Sequence, residues 1–172
     1  MALAETQDDR YASAAKAFGS ALVRLAKAYE ADPERRNDLL QDIHVALWRS
    51  MARFDEKCSL RTWVYRVAHN VGASHILKQR SNSRLVSLDD VELATSSSSP
   101  EDVAAEHHAL DRLMALIHAL KPPDRQILLL YLEDLNAAAI AEVVGMSCGA
   151  VAVRIHRAKV ALAHAFHNGE LR

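Results

Sequence analysis

Residues 136–166 read NAAAIAEVVGMSCGAVAVRIHRAKVALAHAF, and the fold of the whole chain turns on them. Asn136 is placed to cap a short helix whose Ile140, Ala141 and Val144 face inward, since a short polar side chain accepts from the free amides of a first turn. Gly145 supplies the positive φ of a tight turn, and Ser147 caps a second helix. In that helix Val151, Ile155, Ala158, Leu162 and Phe166 fall on one stripe. Ala150, Val153, Arg157 and His164 then point away from the core, with Arg154 at the flank. The layout is a helix-turn-helix whose outer side suits a DNA major groove. An ordinary helical hairpin with a solvated basic face fits the same residues.

The composition around this stretch is helical too. Of 172 residues half are hydrophobic, 30 are alanine, and only five Gly and four Pro interrupt the chain. Aromatics make up 5%, which leaves little material for strands, so an all-α fold is expected and an all-β one excluded. No apolar run approaches the ~18 residues of a membrane span, and the opening MALAETQDDRYASAAKAFG is too polar for a signal peptide. The expectation is a cytoplasmic protein without membrane insertion. Cys58 and Cys148 have neither paired nor CxxC spacing, which argues against a disulfide framework or a zinc ribbon. His107 and His108 are adjacent and His164 and His167 are three apart, but no third ligand stands at a recognisable spacing. No metal or other cofactor is expected. With no nucleophile–base pair and no phosphate loop either, nothing supports an enzyme.

Upstream, three helical segments are expected: 13–31, then 35–51 after a cap and turn at Asp32 and Pro33, then 60–78 after a cap at Ser59. In the second, Leu40, Ile43, Leu47 and Met51 form the apolar side, leaving Asp38, Gln41, Asp42, Val45 and Arg49 outward. In the third, Leu60, Val64, Val67 and Val71 form the inner stripe, so Thr62, Tyr65, Arg66, His69 and Asn70 are expected outside. Formal charge is unevenly spread. Residues 49–84 carry eight Lys/Arg against two Asp/Glu, residues 85–106 carry six acids and no base, and residues 143–169 carry three bases and no acid. Two basic zones separated by an acidic, serine-rich tract suggest two contacts with a polyanion joined by a segment that avoids it. In the first zone Phe54, Trp63 and Tyr65 alternate with Arg53, Lys57, Arg61, Arg66, Lys78, Arg80 and Arg84, the composition of a surface that stacks unpaired bases and follows phosphates.

Taken together, DLLQDIHVALWRSMARFDEKCSLRTWVYRVAHN and the later LKPPDRQILLLYLEDLNAAAIAEVVGMSCGAVAVRIHRAKVAL resemble the group IV, or extracytoplasmic-function, sigma factors of bacterial RNA polymerase. The resemblance implies two small helical domains joined by an acidic flexible linker: a region 2-like domain over 1–82, a linker over 83–102 and a region 4-like helix-turn-helix domain over 103–172. It implies core RNA polymerase and promoter DNA, duplex and melted single strand, as partners, and an anti-sigma protein as regulator. Asp38, Leu39, Gln41 and Asp42 match the D-L-x-Q-E stretch that docks on polymerase, with Val45 beside them; Asp42 replaces a glutamate and His44 an aromatic. Ser59, Arg61, Thr62, Trp63, Tyr65, Arg66 and Asn70 match the segment that engages the melted minus-ten strand, extended by Lys78 and Arg80. Ser147, Ala150, Val153, Arg154, His156, Arg157 and Lys159 stand where the minus-thirty-five element is read, with Ala150, Ala152 and Val153 replacing the threonine, lysine and serine common there.

Two other readings fit parts of the chain. A stand-alone helix-turn-helix regulator would leave the aromatic and basic third segment without a role. A sigma-like decoy or adaptor with weak DNA binding suits the depleted recognition helix.

Overall fold

The structure, a computed structural model, describes residues 6–79 and 102–167. Seven helices occur there: α1 Gln7–Tyr29, α2 Pro33–Met51, α3 Leu60–Lys78, α4 Asp102–Ala119, α5 Pro122–Leu132, α6 Ala137–Val144 and α7 Cys148–His167. Among the described residues there is no β-strand, as the alanine-rich composition requires, and no single helix is long and apolar enough to cross a membrane. The helices fall into two compact units, α1 to α3 in one and α4, α5, most of α6 and α7 in the other. Of the expected linker, residues 83–101 and Arg80 before it lie outside the described residues, and Asp102 opens α4.

In the first unit each helix starts at a side-chain cap. Asp32 Oδ1 accepts from the amides of Glu34 and Arg35 at 3.0 and 2.9 Å, with Pro33 following as the first helical residue. Ser59 Oγ accepts from the Thr62 amide at 3.0 Å. The start of α1 differs from expectation by six residues. Thr6 and Asp9 form a reciprocal capping box, the Thr6 hydroxyl accepting from the Asp9 amide and the Asp9 carboxylate from the Thr6 amide. That box nucleates helix through the polar QDDR stretch, which has no apolar periodicity to announce it.

The core of this unit is Leu22, Leu25, Leu39, Ile43, Leu47, Met51, Val64 and Ala68, closed by a buried polar pair. Tyr29 and His69 share a hydrogen bond of 2.9 Å, and their rings meet edge to face at 5.7 Å. Burial holds the His69 imidazole neutral, with its pKa down to about 3. Beneath the Tyr29 ring lies Gly72, where a Cβ would stand 2.8 Å from ring carbons. A second polar group ties the end of α1 to the end of α3. Glu30, nearly buried, accepts from His75 at 2.9 Å, from Gln79 and, at 2.9 Å, from the Asp32 amide. Burial raises its carboxyl pKa, but those hydrogen bonds outweigh it and bring the group down to about 2.

The second unit packs Ile117 of α4 and Leu120 just after it with Ile127, Leu128 and Leu130 of α5, Ile140 of α6, and Val151, Ile155, Ala158 and Ala161 of α7. Asn136 Oδ1 accepts from the Ala139 amide at 2.9 Å and Ser147 Oγ from the Ala150 amide at 3.2 Å. Gly145 takes φ +70 between the two helices, and α6 and α7 meet at 111°, within the usual range for a helix-turn-helix. Two free thiols mark helix starts: Cys58, half-buried, before Ser59, and Cys148, exposed, as the first residue of α7.

Gly72→Ala should destabilise the first unit. Alanine normally favours a helix by about 1 kcal/mol over glycine, but forcing a methyl into a filled site costs about 1 to 3 kcal/mol, and the neighbour here is a ring fixed by its own hydrogen bond. Urea unfolding followed by tryptophan emission measures this unit alone, because Trp48 and Trp63 both belong to it. The same measurement should show a pH dependence. His69 binds a proton near 6.5 when unfolded and near 3 when folded, so its stabilisation is complete above about pH 6.5 and is lost as pH falls toward 3. Glu30 acts lower, its contribution complete above 4.5 and lost toward 2. Between pH 6.5 and 4.5 stability should fall by up to about 1.4 kcal/mol per pH unit, and His69→Gln should flatten that slope.

Candidate functional site

Three surfaces carry the residues singled out in the sequence. On α2 the buried stripe is Leu39, Ile43, Leu47 and Met51, a strict four-residue spacing. Asp38, Gln41, Asp42 and Val45 lie together on the exposed side. Leu39 is not part of that exposed set: it is only 1% exposed and belongs to the core. The sequence pattern had placed Leu40 on the stripe, but Leu39 is in register with Ile43 and Leu47 at 400° per four residues, whereas Leu40 stands one residue, about 100°, aside and is half-buried.

The exposed face of α2 ends in a feature the sequence did not reveal. Tyr11, His44, Val45, Trp48 and Arg49 line an open cavity of about 360 Å³. Its walls are held by α1, with Tyr11 Oη and His44 Nδ1 3.0 Å apart, Trp48 Nε1 donating to Asp8 Oδ1 at 2.7 Å and Gln7 Nε2 donating to the Trp48 carbonyl at 2.8 Å. The one available signal was Thr6-x-x-Asp9, which extends α1 far enough to reach Trp48.

On α3 the buried residues are Thr62, Val64, Tyr65, Ala68, His69 and Gly72. The inner stripe expected at Leu60, Val64, Val67 and Val71 is thus turned by roughly one residue, about 100°, and Leu60, Val67 and Val71 are only half-buried. Thr62, Tyr65 and His69, expected outside, are inside. Tyr65 is 3% exposed, packed between Phe18 and His69, and Thr62 accepts a hydrogen bond from the Ser59 hydroxyl at 2.9 Å. The reason is steric. The small residues Ala68 and Gly72 let α1 approach that side closely, and branched valines cannot. Arg61, Asn70 and Lys78 remain exposed and Arg66 half-exposed. Ser59 is spent as a cap. Trp63 is half-buried, its ring 5.4 Å from that of Phe54 and its Nε1 donating to Ser50 Oγ at 2.9 Å.

On α7 Val151, Ile155 and Ala158 of the expected stripe are buried, Leu162 is half-buried next to the buried Ala161, and the side chain of Phe166 lies outside the described residues. Ala152, Val153, His156, Arg157 and Lys159 are exposed, Val153 at 52%, and Ala150 and His164 are half-buried. Arg154 is different. Its guanidinium forms an ion pair with Asp124 at the start of α5. Lys159 Nζ lies 5.4 Å from the centre of the Tyr131 ring at the end of α5. Among the described residues no three His, Cys, Asp or Glu side chains converge as metal ligands.

Comparison with known proteins covers both units. Residues 15–82 match the family model described as Sigma-70 region 2, and residues 110–162 match Sigma-70, region 4. The ECF RNA polymerase sigma factor SigC of Mycobacterium tuberculosis is 31% identical over 167 residues, spanning 87% of this chain and 85% of the relative. The ECF RNA polymerase sigma factor SigW of Bacillus subtilis is 24% identical over 169 residues, 90% of this chain and 87% of SigW. A solved structure of CnrH in complex with the cytosolic domain of CnrY has a similar fold, with a TM-score of 0.60 and 21% identity over 89% of this chain and 84% of that one.

Burial separates support from contact on α3. Tyr65→Ala should lower the stability of the first unit by about 3 to 5 kcal/mol, as loss of a buried ring does. Arg61→Ala removes an exposed cation 5.8 Å from the Tyr65 ring and should change stability by about 1 kcal/mol or less. Comparable effects of the two in a urea titration would contradict the observed rotation of α3.

Proposed function

Because the chain belongs to the extracytoplasmic-function RNA polymerase sigma factors of the sigma-70 family, we propose that its three surfaces divide the work of promoter recognition. The protein is an RNA polymerase sigma factor, and sigma factors bind core polymerase and promoter DNA. Residues 1–82 dock on core polymerase and engage the minus-ten element. Residues 103–172 read the minus-thirty-five element, and the acidic tract over 83–102 joins them without adhering to DNA. No reaction is assigned to the chain itself. Its place of action is the cytoplasm, where the polymerase is.

The observation that carries docking is the division of α2 into a sealed stripe and an exposed one. Asp38, Gln41, Asp42 and Val45 can be covered by a partner without disturbing Leu39, Ile43, Leu47 or Met51. An acidic and amide face with one apolar residue favours a partner that brings cations and a small apolar patch. Docking turns α3 toward the DNA. Arg61, Arg66, Lys78 and Arg80 then follow phosphates, Asn70 reaches a base edge, and the half-exposed Trp63 offers a stacking surface for an unpaired base. Thr62, Tyr65 and Ser59 act from behind, holding the helix in that rotation.

Reading by α7 is chiefly apolar. Val153 and Ala150 suit a thymine methyl, and His156, Arg157 and Lys159 supply polar or phosphate contacts. So few cations give a shallow salt dependence, about −0.9 in log–log slope for each phosphate neutralised. Affinity then comes from joining both units to one promoter through the polymerase. A regulator of the anti-sigma kind completes the reading; the relative CnrH has been solved bound to the cytosolic domain of CnrY.

The double variant Asp38→Ala, Gln41→Ala should weaken binding to core polymerase by about 1 to 3 kcal/mol, the range for truncated interface residues. Its urea unfolding should match wild type, since both side chains are exposed. Unchanged affinity in a polymerase titration would overturn the docking face.

A further inference from the structure

We infer that Arg154 is a positioning residue, which sets the rotation of α7 through Asp124 instead of reading DNA. The inference rests on the assignment of α7 to the minus-thirty-five element and says how that helix is aimed. Asp124 lies in the first turn of α5 and is 3% exposed on its side chain, whereas Arg154 is 28% exposed. A carboxylate so buried is tolerated only with a partner. To fork onto a guanine, Arg154 would have to give up this ion pair. Arg125, next to Asp124, donates through Nη2 to the carbonyls of His118 and Leu120.

The apolar seam of α7 gives a reason for such an anchor. Its inner residues include Ala158 and Ala161 as well as Val151 and Ile155, and small side chains make a smooth surface over which a helix can turn. Apolar packing is non-directional; a guanidinium–carboxylate pair is directional. The Lys159 contact with Tyr131, five residues further along α7 and at the far end of α5, holds the same two helices at a second point. Between them these contacts decide that Val153, His156 and Arg157 face out together.

The two roles for Arg154 predict opposite signs for Asp124→Asn. If Arg154 reads DNA, that change frees a guanidinium and removes a nearby negative charge, so discrimination should rise or hold. If Arg154 positions α7, discrimination should fall. The assay uses the full chain assembled with core polymerase, and duplexes selected from a randomised pool, each compared with a copy scrambled at the minus-thirty-five element. Positioning predicts that Asp124→Asn loses roughly tenfold in the matched-to-scrambled ratio, about the value of one base contact. It also predicts that Arg154→Lys, which keeps a cation for Asp124 but cannot fork onto a guanine, retains most of that ratio even if Asp124→Asn proves unstable. Loss in Arg154→Lys, or a gain in folded Asp124→Asn, overturns the inference. Arg157→Ala on the exposed face tests the underlying assignment: if it, Asp124→Asn and Arg154→Lys all leave the ratio unchanged, α7 does not read the element and both readings fall.

Discussion

The close approach of α1 to α3, with the Tyr29 ring lying over the backbone of Gly72, governs the first unit. A helix with valines on one side and Tyr65, Ala68, His69 and Gly72 on another has two faces it can bury, and aliphatic content alone favours the valines. The ring settles the choice, because only the glycine side leaves room for it. Once Tyr29 is seated, its hydroxyl meets His69 and the imidazole must stay neutral. Tyr65 is then carried inward and Arg61 and Asn70 outward. The exposed surface of α3, the one proposed for nucleic acid, is therefore set from the opposite side of the helix.

This explains what the sequence conveyed and what it did not. Ser59, Asp32, Asn136, Ser147 and Gly145 act through local geometry, and local geometry is written in a few adjacent residues. The caps and turn of the helix-turn-helix could therefore be traced, with Ile140, Val151, Ile155 and Ala158 inside it, while Ala141, Val144 and Leu162, expected inward, are half-buried beside the buried Val143 and Ala161. The rotation of α3 depends on a contact across more than forty positions, for which the only local trace is a glycine inside a helix. Leu39 and Leu40 posed a smaller version of the same problem, two adjacent leucines of which the register with Ile43 and Leu47 selects one. The early start of α1 was missed for a different reason: its first turns face solvent on most sides and carry a cap without a periodic pattern. With them went the cavity beside Trp48, whose walls α1 completes. Arg154 illustrates the remaining gap. Its acidic partner Asp124 stands thirty positions earlier, and no local pattern announces the pair.

The two units reach their function by different physical routes. In the first, cations and amides are displayed on helices whose opposite sides are tightly sealed, so contact surface and core are independent. In the second, the cations of α7 are partly taken up in holding α7 against α5, and the face left over is more apolar. On the proposed division of work, the polymerase brings the second unit to its element.

The two cysteines give the molecule a built-in spectroscopic handle. Cys148 is exposed at the start of α7 and Cys58 half-buried at the start of α3, so each unit carries one thiol and the two differ in accessibility. A maleimide dye added under native conditions meets Cys148 first, and a second dye introduced more slowly reaches Cys58. Donor and acceptor can thus be placed in known order on separate units of the unaltered sequence. Energy transfer between them then follows the separation of the units as the protein moves from solution onto polymerase and promoter.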